Sequence, residues 1–261
     1  MNDHKDVTAS TSHSGSTILL VMAMEEEAAA VLKILPFQSL SAPLEEDLPP
    51  HGYTTKLDHL NVALVVNGQD PVYRVASFGT DAATLATYLG IRAFAPDLVI
   101  SAGVAGGFKA QGAEIGTVYV SKDSVRYIDR RVSITEPNYR DYAVGFYPVA
   151  DASQMARTLG LPTGIVVTGG SFENSPEDEA QIRTHGAVAI EMEAASVAKM
   201  SMLMKTPFLA VKAVVNFEED PAFADQFERN FHTATACLAH TMKEILQYYT
   251  DHEIESTEEL S

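Results

Sequence analysis

The strongest constraint on the fold is a succession of short runs of branched apolar residues, each followed by a stretch with helical spacing. Ile18–Met22, Val62–Val66, Leu98–Ile100, Val118–Val120, Ile165–Val167, Ala187–Ile190 and Phe208–Val215 carry strand composition, and several are continuous rather than alternating. A strand that is apolar at every position has both faces covered. Helical spacing follows Met24, Gly79, Asp151, Pro176 and Met192. In the long stretch from about Asp225 to Tyr249, Phe227, Phe231, Ala234, Leu238, Met242 and Ile245 form one apolar stripe. The alternation predicts an α/β domain in three layers, a central mostly parallel or mixed sheet flanked by helices.

One core suffices for a chain of 261 residues. Residues 1–16 are polar, with almost no large apolar side chain to offset the entropy of ordering, and are expected to be a disordered tail. The domain then covers 17–250, and residues 251–261 form an acidic tail. The balance of 18 basic against 35 acidic residues, a formal charge of −17, argues against a nucleic-acid partner. No apolar run reaches the roughly 20 residues that span a bilayer, and the polar start lacks a secretory signal, so a cytoplasmic protein without membrane contact is expected. Cys237 is the only cysteine and sits on an apolar helical face, where packing explains it. The histidines show no ligand spacing, so neither a metal nor a cofactor is expected.

Four segments carry candidate chemistry. Ser101-Ala102-Gly103-Val104-Ala105-Gly106-Gly107-Phe108 follows the run Asp97–Ile100, where glycines permit positive φ and close approach of a ligand, or a simple tight turn. It lacks the G-x-G-x-x-G spacing of a dinucleotide site. Glu25-Glu26-Glu27 follow the first strand; carboxylates suit a helix start, and they would repel a phosphate there. Glu191-Met192-Glu193 stand at a strand-to-helix junction, where one carboxylate can accept from two vicinal ribose hydroxyls. Lys212 interrupts the apolar run that ends at Asn216, so it has to be paired or to reach a cleft. The acidic, Pro-containing stretches Ser41–Gly52 and Glu218–Pro221 read as exposed loops, the first away from the chemistry and the second at a strand end, where α/β proteins commonly place ligands.

Ala23-Met24-Glu25-Glu26-Glu27, Ala102–Phe108, Thr168-Gly169-Gly170-Ser171-Phe172, Glu191-Met192-Glu193-Ala194 and Lys212-Ala213-Val214-Val215-Asn216 are similar, in order and spacing, to the motifs of 5′-methylthioadenosine/S-adenosylhomocysteine nucleosidases, especially the plant type. The resemblance spans roughly Thr17 to Tyr249. It implies the nucleoside phosphorylase-like fold, a small purine nucleoside as ligand, hydrolysis rather than phosphorolysis, a role in methionine salvage and a homodimer whose partner closes the pocket. Carried over residue by residue, it makes Glu27 the carboxylate that activates water, with Lys212 and Asn216 at the other catalytic positions. Glu193, beside Glu191, resembles the ribose-hydroxyl binder, and Met192 packs on the sugar. Phe172 resembles the aromatic that stacks on the purine, the Glu173 backbone reads the purine edge, and Val104, Ala105 and Gly106 line the pocket.

Two positions depart from the family pattern. Asn216 stands where the family has an aspartate that protonates the leaving purine, and Val104 where it has Ser or Thr. An amide has no proton to transfer at neutral pH, and general-acid catalysis is typically worth about 10²–10⁴ in rate. Three readings follow. The chain hydrolyses methylthioadenosine or adenosylhomocysteine, with the acid replaced by water or another side chain. It hydrolyses a 6-oxopurine nucleoside of the inosine or futalosine type, whose base an amide can read. Or it binds nucleosides with impaired turnover.

Overall fold

A computed structural model describes residues 15–254. Residues 1–14 and 255–261, which hold most of both expected tails, lie outside the described residues. The strands are β1 (Thr17–Met22), β2 (Gln38–Ser39), β3 (His51–Leu57), β4 (Leu60–Val66), β5 (Leu98–Gly107), β6 (Val118–Ser121), β7 (Ser124–Tyr127), β8 (Tyr147–Pro148), β9 (Thr163–Thr168), β10 (Ala187–Glu191) and β11 (Phe208–Phe217). The helices are α1 (Glu25–Ile34), α2 (Thr80–Phe94), α3 (Pro137–Val144), α4 (Ser153–Leu159), α5 (Pro176–His185), α6 (Ala194–Leu203) and α7 (Phe223–Asp251).

The strands form one mixed sheet in the order β2-β3-β4-β1-β5-β11-β6-β9-β7-β8. β10 lies off this path and pairs with both β5 and β9, so β5, β11, β6, β9 and β10 close into a ring. The continuous apolar runs are explained by layers on both sides. Along β1, Ile18, Leu20 and Met22 pack into one cluster with α1, α4 and α7, while Leu19 and Val21 pack into another with α2 and α6. β11 divides likewise, with Leu209, Val211, Ala213 and Val215 on the first face and Phe208, Ala210 and Val214 on the second. The three-layer α/β architecture is therefore present, with parallel and antiparallel pairs mixed.

Several local expectations change. The glycine segment is not a turn after Ile100: β5 continues to Gly107, held parallel to β11 as far as Phe217. None of Gly103, Gly106 and Gly107 adopts positive φ. What they contribute is the missing Cβ, because an added one would stand 2.9 Å from Glu27 Oε1 at Gly103 and 2.7 Å from the Val214 side chain at Gly107. The stretch Ser41–Gly52 is a loop only in part, since His51 and Gly52 open β3, which pairs with β4 over its whole length. α3 was not legible as a helix because it presents no apolar stripe.

Candidate active site

Glu27 is positioned in part by local structure, before tertiary contacts are added. Glu27 is the third residue of α1 and reaches back so that the Met24 N–H donates to its Oε2 at 3.2 Å, the carboxylate half of a capping box. Its Oε1 accepts the Val104 N–H at 2.7 Å, which the bare Cα of Gly103 makes possible. Glu27 is buried, whereas Glu26 is exposed and Glu25 turns away to His51 Nε2 at 2.5 Å. Only one of the three carboxylates therefore faces the interior.

Glu191 ends β10 with its oxygens occupied. Oε1 accepts from Thr168 Oγ1 at 2.5 Å, and Oε2 accepts from the Ala194 N–H at 2.9 Å and from Lys212 Nζ at 2.8 Å. Lys212 also donates to Ser101 Oγ at 3.0 Å. These partners meet both oxygens of Glu191, which in turn orients Thr168, Lys212 and the start of α6. Glu193 differs: its Oε1 accepts the Gly79 N–H at 2.7 Å, leaving Oε2 without a protein donor among the described contacts. Gly79 holds φ at 96°, a conformation glycine adopts without strain.

Glu27, Asn67, Ser101, Gly103, Glu193 and Lys212 border a cavity of about 10 Å³, room for about one water molecule. Burial raises the Glu27 carboxyl above its ordinary range, against the Val104 N–H and the Lys212 charge. Burial, then repulsion from Glu191, pushes Glu193 up to about 7. Burial alone would lower Lys212, but the attraction of Glu191 and Glu193 outweighs it and raises the ammonium's pKa. A buried carboxyl that titrates near neutrality next to a second one is suited to exchange a proton with water.

A separate cleft of about 600 Å³ is of the size that takes a small organic ligand. Phe108, Phe172, Glu173, Asn174, Glu218 and Phe223 are among its lining. Phe172 is 47% exposed, its ring 5.3 Å from Phe223 and 5.7 Å from Phe227, so one face stays free for a flat ligand. Ala105 is buried in the second core cluster, Val104 packs against the first and Met192 is half-buried.

At the end of β11 the register slips by one residue, because Val214 opposes Ala105 but Asn216 opposes Gly106. This bulge at Val215 re-aims Asn216, and Asn230 Nδ2 of α7 donates to the freed Val215 carbonyl at 3.1 Å. Asn216 Nδ2 donates to Glu218 Oε1, and Asn174 Nδ2 to Glu218 Oε2, both at 2.8 Å. The sequence pattern did not single out Ser101, Asn67, Asn174 or Glu218 as site residues. Two carried a signal, Ser101 as the first residue of the glycine segment and Glu218 as the first residue of the strand-end loop Glu218–Pro221.

Residues 17–247 match the phosphorylase superfamily. An Arabidopsis thaliana 5′-methylthioadenosine/S-adenosylhomocysteine nucleosidase is 32% identical over 235 residues, 89% of this chain and 91% of that one. The solved apo structure of Arabidopsis thaliana 5′-methylthioadenosine nucleosidase superposes with a TM-score of 0.87 at 32% identity, covering 91% of this chain and 97% of that one. Futalosine hydrolase of Helicobacter pylori shares the fold at a TM-score of 0.74, with 20% identity over 91% of this chain and all of that one. These relatives are nucleosidases and hydrolases rather than phosphorylases. By motif, sequence and fold, the chain belongs to the phosphorylase superfamily.

Proposed function

We propose that this protein hydrolyses the N-glycosidic bond of 5′-methylthioadenosine and S-adenosylhomocysteine, releasing adenine and the thioribose product. The observation that carries this reading is the pairing of Glu27 and Glu193 around a cavity for one water, in a chain a third identical to methylthioadenosine nucleosidases. In this reading Glu193 accepts from the ribose hydroxyls, Met192 packs on the sugar and Phe172 stacks on the purine, whose edge meets the Glu173 backbone. Val104 and Gly106 line the pocket. Water in the small cavity attacks the anomeric carbon while Glu27 takes its proton. Lys212, paired with Glu191, keeps a positive charge beside the two acidic groups. Water is the nucleophile because a buried group of three carboxylates with one ammonium is hostile to phosphate.

A second reading, hydrolysis of a 6-oxopurine nucleoside, is favoured by Asn216, whose amide can both donate to a base carbonyl and accept from a ring nitrogen. Purine release from methylthioadenosine, adenosylhomocysteine and inosine, with and without phosphate, separates the two. The expected result is adenine release independent of phosphate; ribose-1-phosphate formation would overturn hydrolysis, and preference for inosine would favour the second reading.

The wider setting proposed is a cytoplasmic homodimer in methionine salvage, folded over 17–250. The dimer is supported by a run of exposed apolar side chains before the Gly79 contact, with Val72 at 76%, Tyr73 at 78% and Phe78 at 58% exposure. A monomer in analytical ultracentrifugation would remove it.

A further inference from the structure

Hydrolysis of an adenine nucleoside needs a proton on the leaving purine, and Asn216 has none to give. Two positions further on stands a carboxyl group within its reach. Glu218 lies against the bare Cα of Gly106, in space that a Cβ there would fill. It lines the same cleft as Phe172. Two amide groups grip it, Asn216 at Oε1 and Asn174 at Oε2, both at 2.8 Å. The bulge at Val215 turns this end of β11, and the Glu218 N–H is anchored on the Gly107 carbonyl at 3.1 Å. Gly106, under Glu218, lies three residues beyond Gly103, under Glu27, roughly 10 Å along β5.

We infer that Glu218 is the proton donor to the leaving purine, displaced by two residues from the family's acid position, with Asn216 and Asn174 orienting it. The inference rests on the nucleosidase reading above. As the bond from the anomeric carbon to N9 breaks, its electron pair moves into the purine and the Glu218 O–H proton passes to N7, so the base leaves as neutral adenine. Water oxygen bonds to the anomeric carbon and its proton passes to Glu27. Exchange with solvent then moves one proton from Glu27 to Glu218, leaving nucleoside plus water converted to adenine plus the free sugar. Burial raises the Glu218 carboxyl above its ordinary range, against the two amide donors, which favours the protonated form this role needs. A role confined to orienting Asn216 would need only an acceptor oxygen, and glutamine keeps one.

Glu218→Gln is therefore the discriminating variant, measured on methylthioadenosine and on 4-nitrophenyl β-ribofuranoside, whose leaving group departs without protonation. On methylthioadenosine kcat is expected to fall by about 10²-fold or more, while the nitrophenyl riboside is cleaved within about threefold of wild type. Equal loss on both substrates would make Glu218 structural and overturn the inference. Wild-type kcat on methylthioadenosine in the variant would overturn it as well, leaving the nucleosidase reading intact. A wild-type protein that releases purine from no nucleoside would overturn both together.

Discussion

Glu191 and Lys212 form an ion pair of 2.8 Å in which the side chains are 1% and 2% exposed. Such a pair is held in place because either partner alone would be a buried charge without compensation. Glu191 also anchors the start of α6 through the Ala194 N–H and fixes Thr168. We predict that Lys212→Met costs about 3–5 kcal/mol of unfolding free energy, and that pairing it with Glu191→Gln recovers part of the loss. Urea unfolding of the single and double variants measures this; additive losses would show that the pair is not coupled.

Glu193 and Glu27 should separate kinetically. Glu193→Gln is predicted to raise KM for methylthioadenosine by tenfold or more, on the order of one lost hydrogen bond to a charged group. Glu27→Gln should lower kcat by about 10²-fold or more with little change in KM, because it removes the base and keeps the shape. Steady-state kinetics of both variants tests the division of roles, and identical effects would refute it.

Glu193 also makes the fold sensitive to pH. Its carboxyl titrates at about 7 in the folded protein against an ordinary value of 4.5. Between those values the folded state holds a proton that the unfolded chain has released, so stability declines as pH rises through this window. We predict that Glu193→Gln flattens the decline and is more stable than wild type above pH 7. Urea midpoints at pH 5 and pH 8 decide it, and parallel curves for the two proteins would exclude Glu193 as the source.

Gly103→Ala tests the packing of β5 on Glu27. The φ of Gly103 lies outside the left-handed region, so the backbone tolerates alanine, but the new Cβ would stand 2.9 Å from Glu27 Oε1. The carboxylate has to move by a fraction of an ångström. We predict a kcat loss of about tenfold or more with stability changed by less than about 1 kcal/mol. Unchanged kcat would show that Glu27 has freedom to spare.

Asn216→Asp puts a second carboxyl within 2.8 Å of Glu218, a distance at which the two share one proton. With Glu218 present, the gain on methylthioadenosine is predicted to stay below about tenfold, since an acid is already in place. In the Glu218→Gln background the same change should raise kcat by about 10²-fold. Inosine cleavage should fall in either background, because the base carbonyl loses an amide donor.

How much of this was legible in the sequence depends on what each element is made of. β1, β4 and β11 declare themselves because residues such as Ile18, Val62 and Leu209 are apolar on both faces. The second half of β5 does not, since Gly103, Gly106 and Gly107 suggest a turn until the partner strand β11 is seen to run alongside. Glu27 and Glu193 are written into helix-start chemistry and the family motifs. Glu218 is not, because what positions it is a one-residue bulge and two amides, Asn174 and Asn216, that only the fold brings together.

The ring of strands around β5 also sets when the site comes into being. Val104 meets Glu27 across 77 positions of sequence, Lys212 meets Ser101 across 111, and Gly79 meets Glu193 across 114. Contacts this distant form late, after the cost of closing long loops has been met by local packing. β11 supplies Lys212 and Asn216, and it is the last strand among the described residues. A nascent or truncated chain that ends before it lacks the strand between β5 and β6 and has no paired lysine to hold the buried carboxylates. Competence for glycosidic cleavage therefore requires β11 docked against β5.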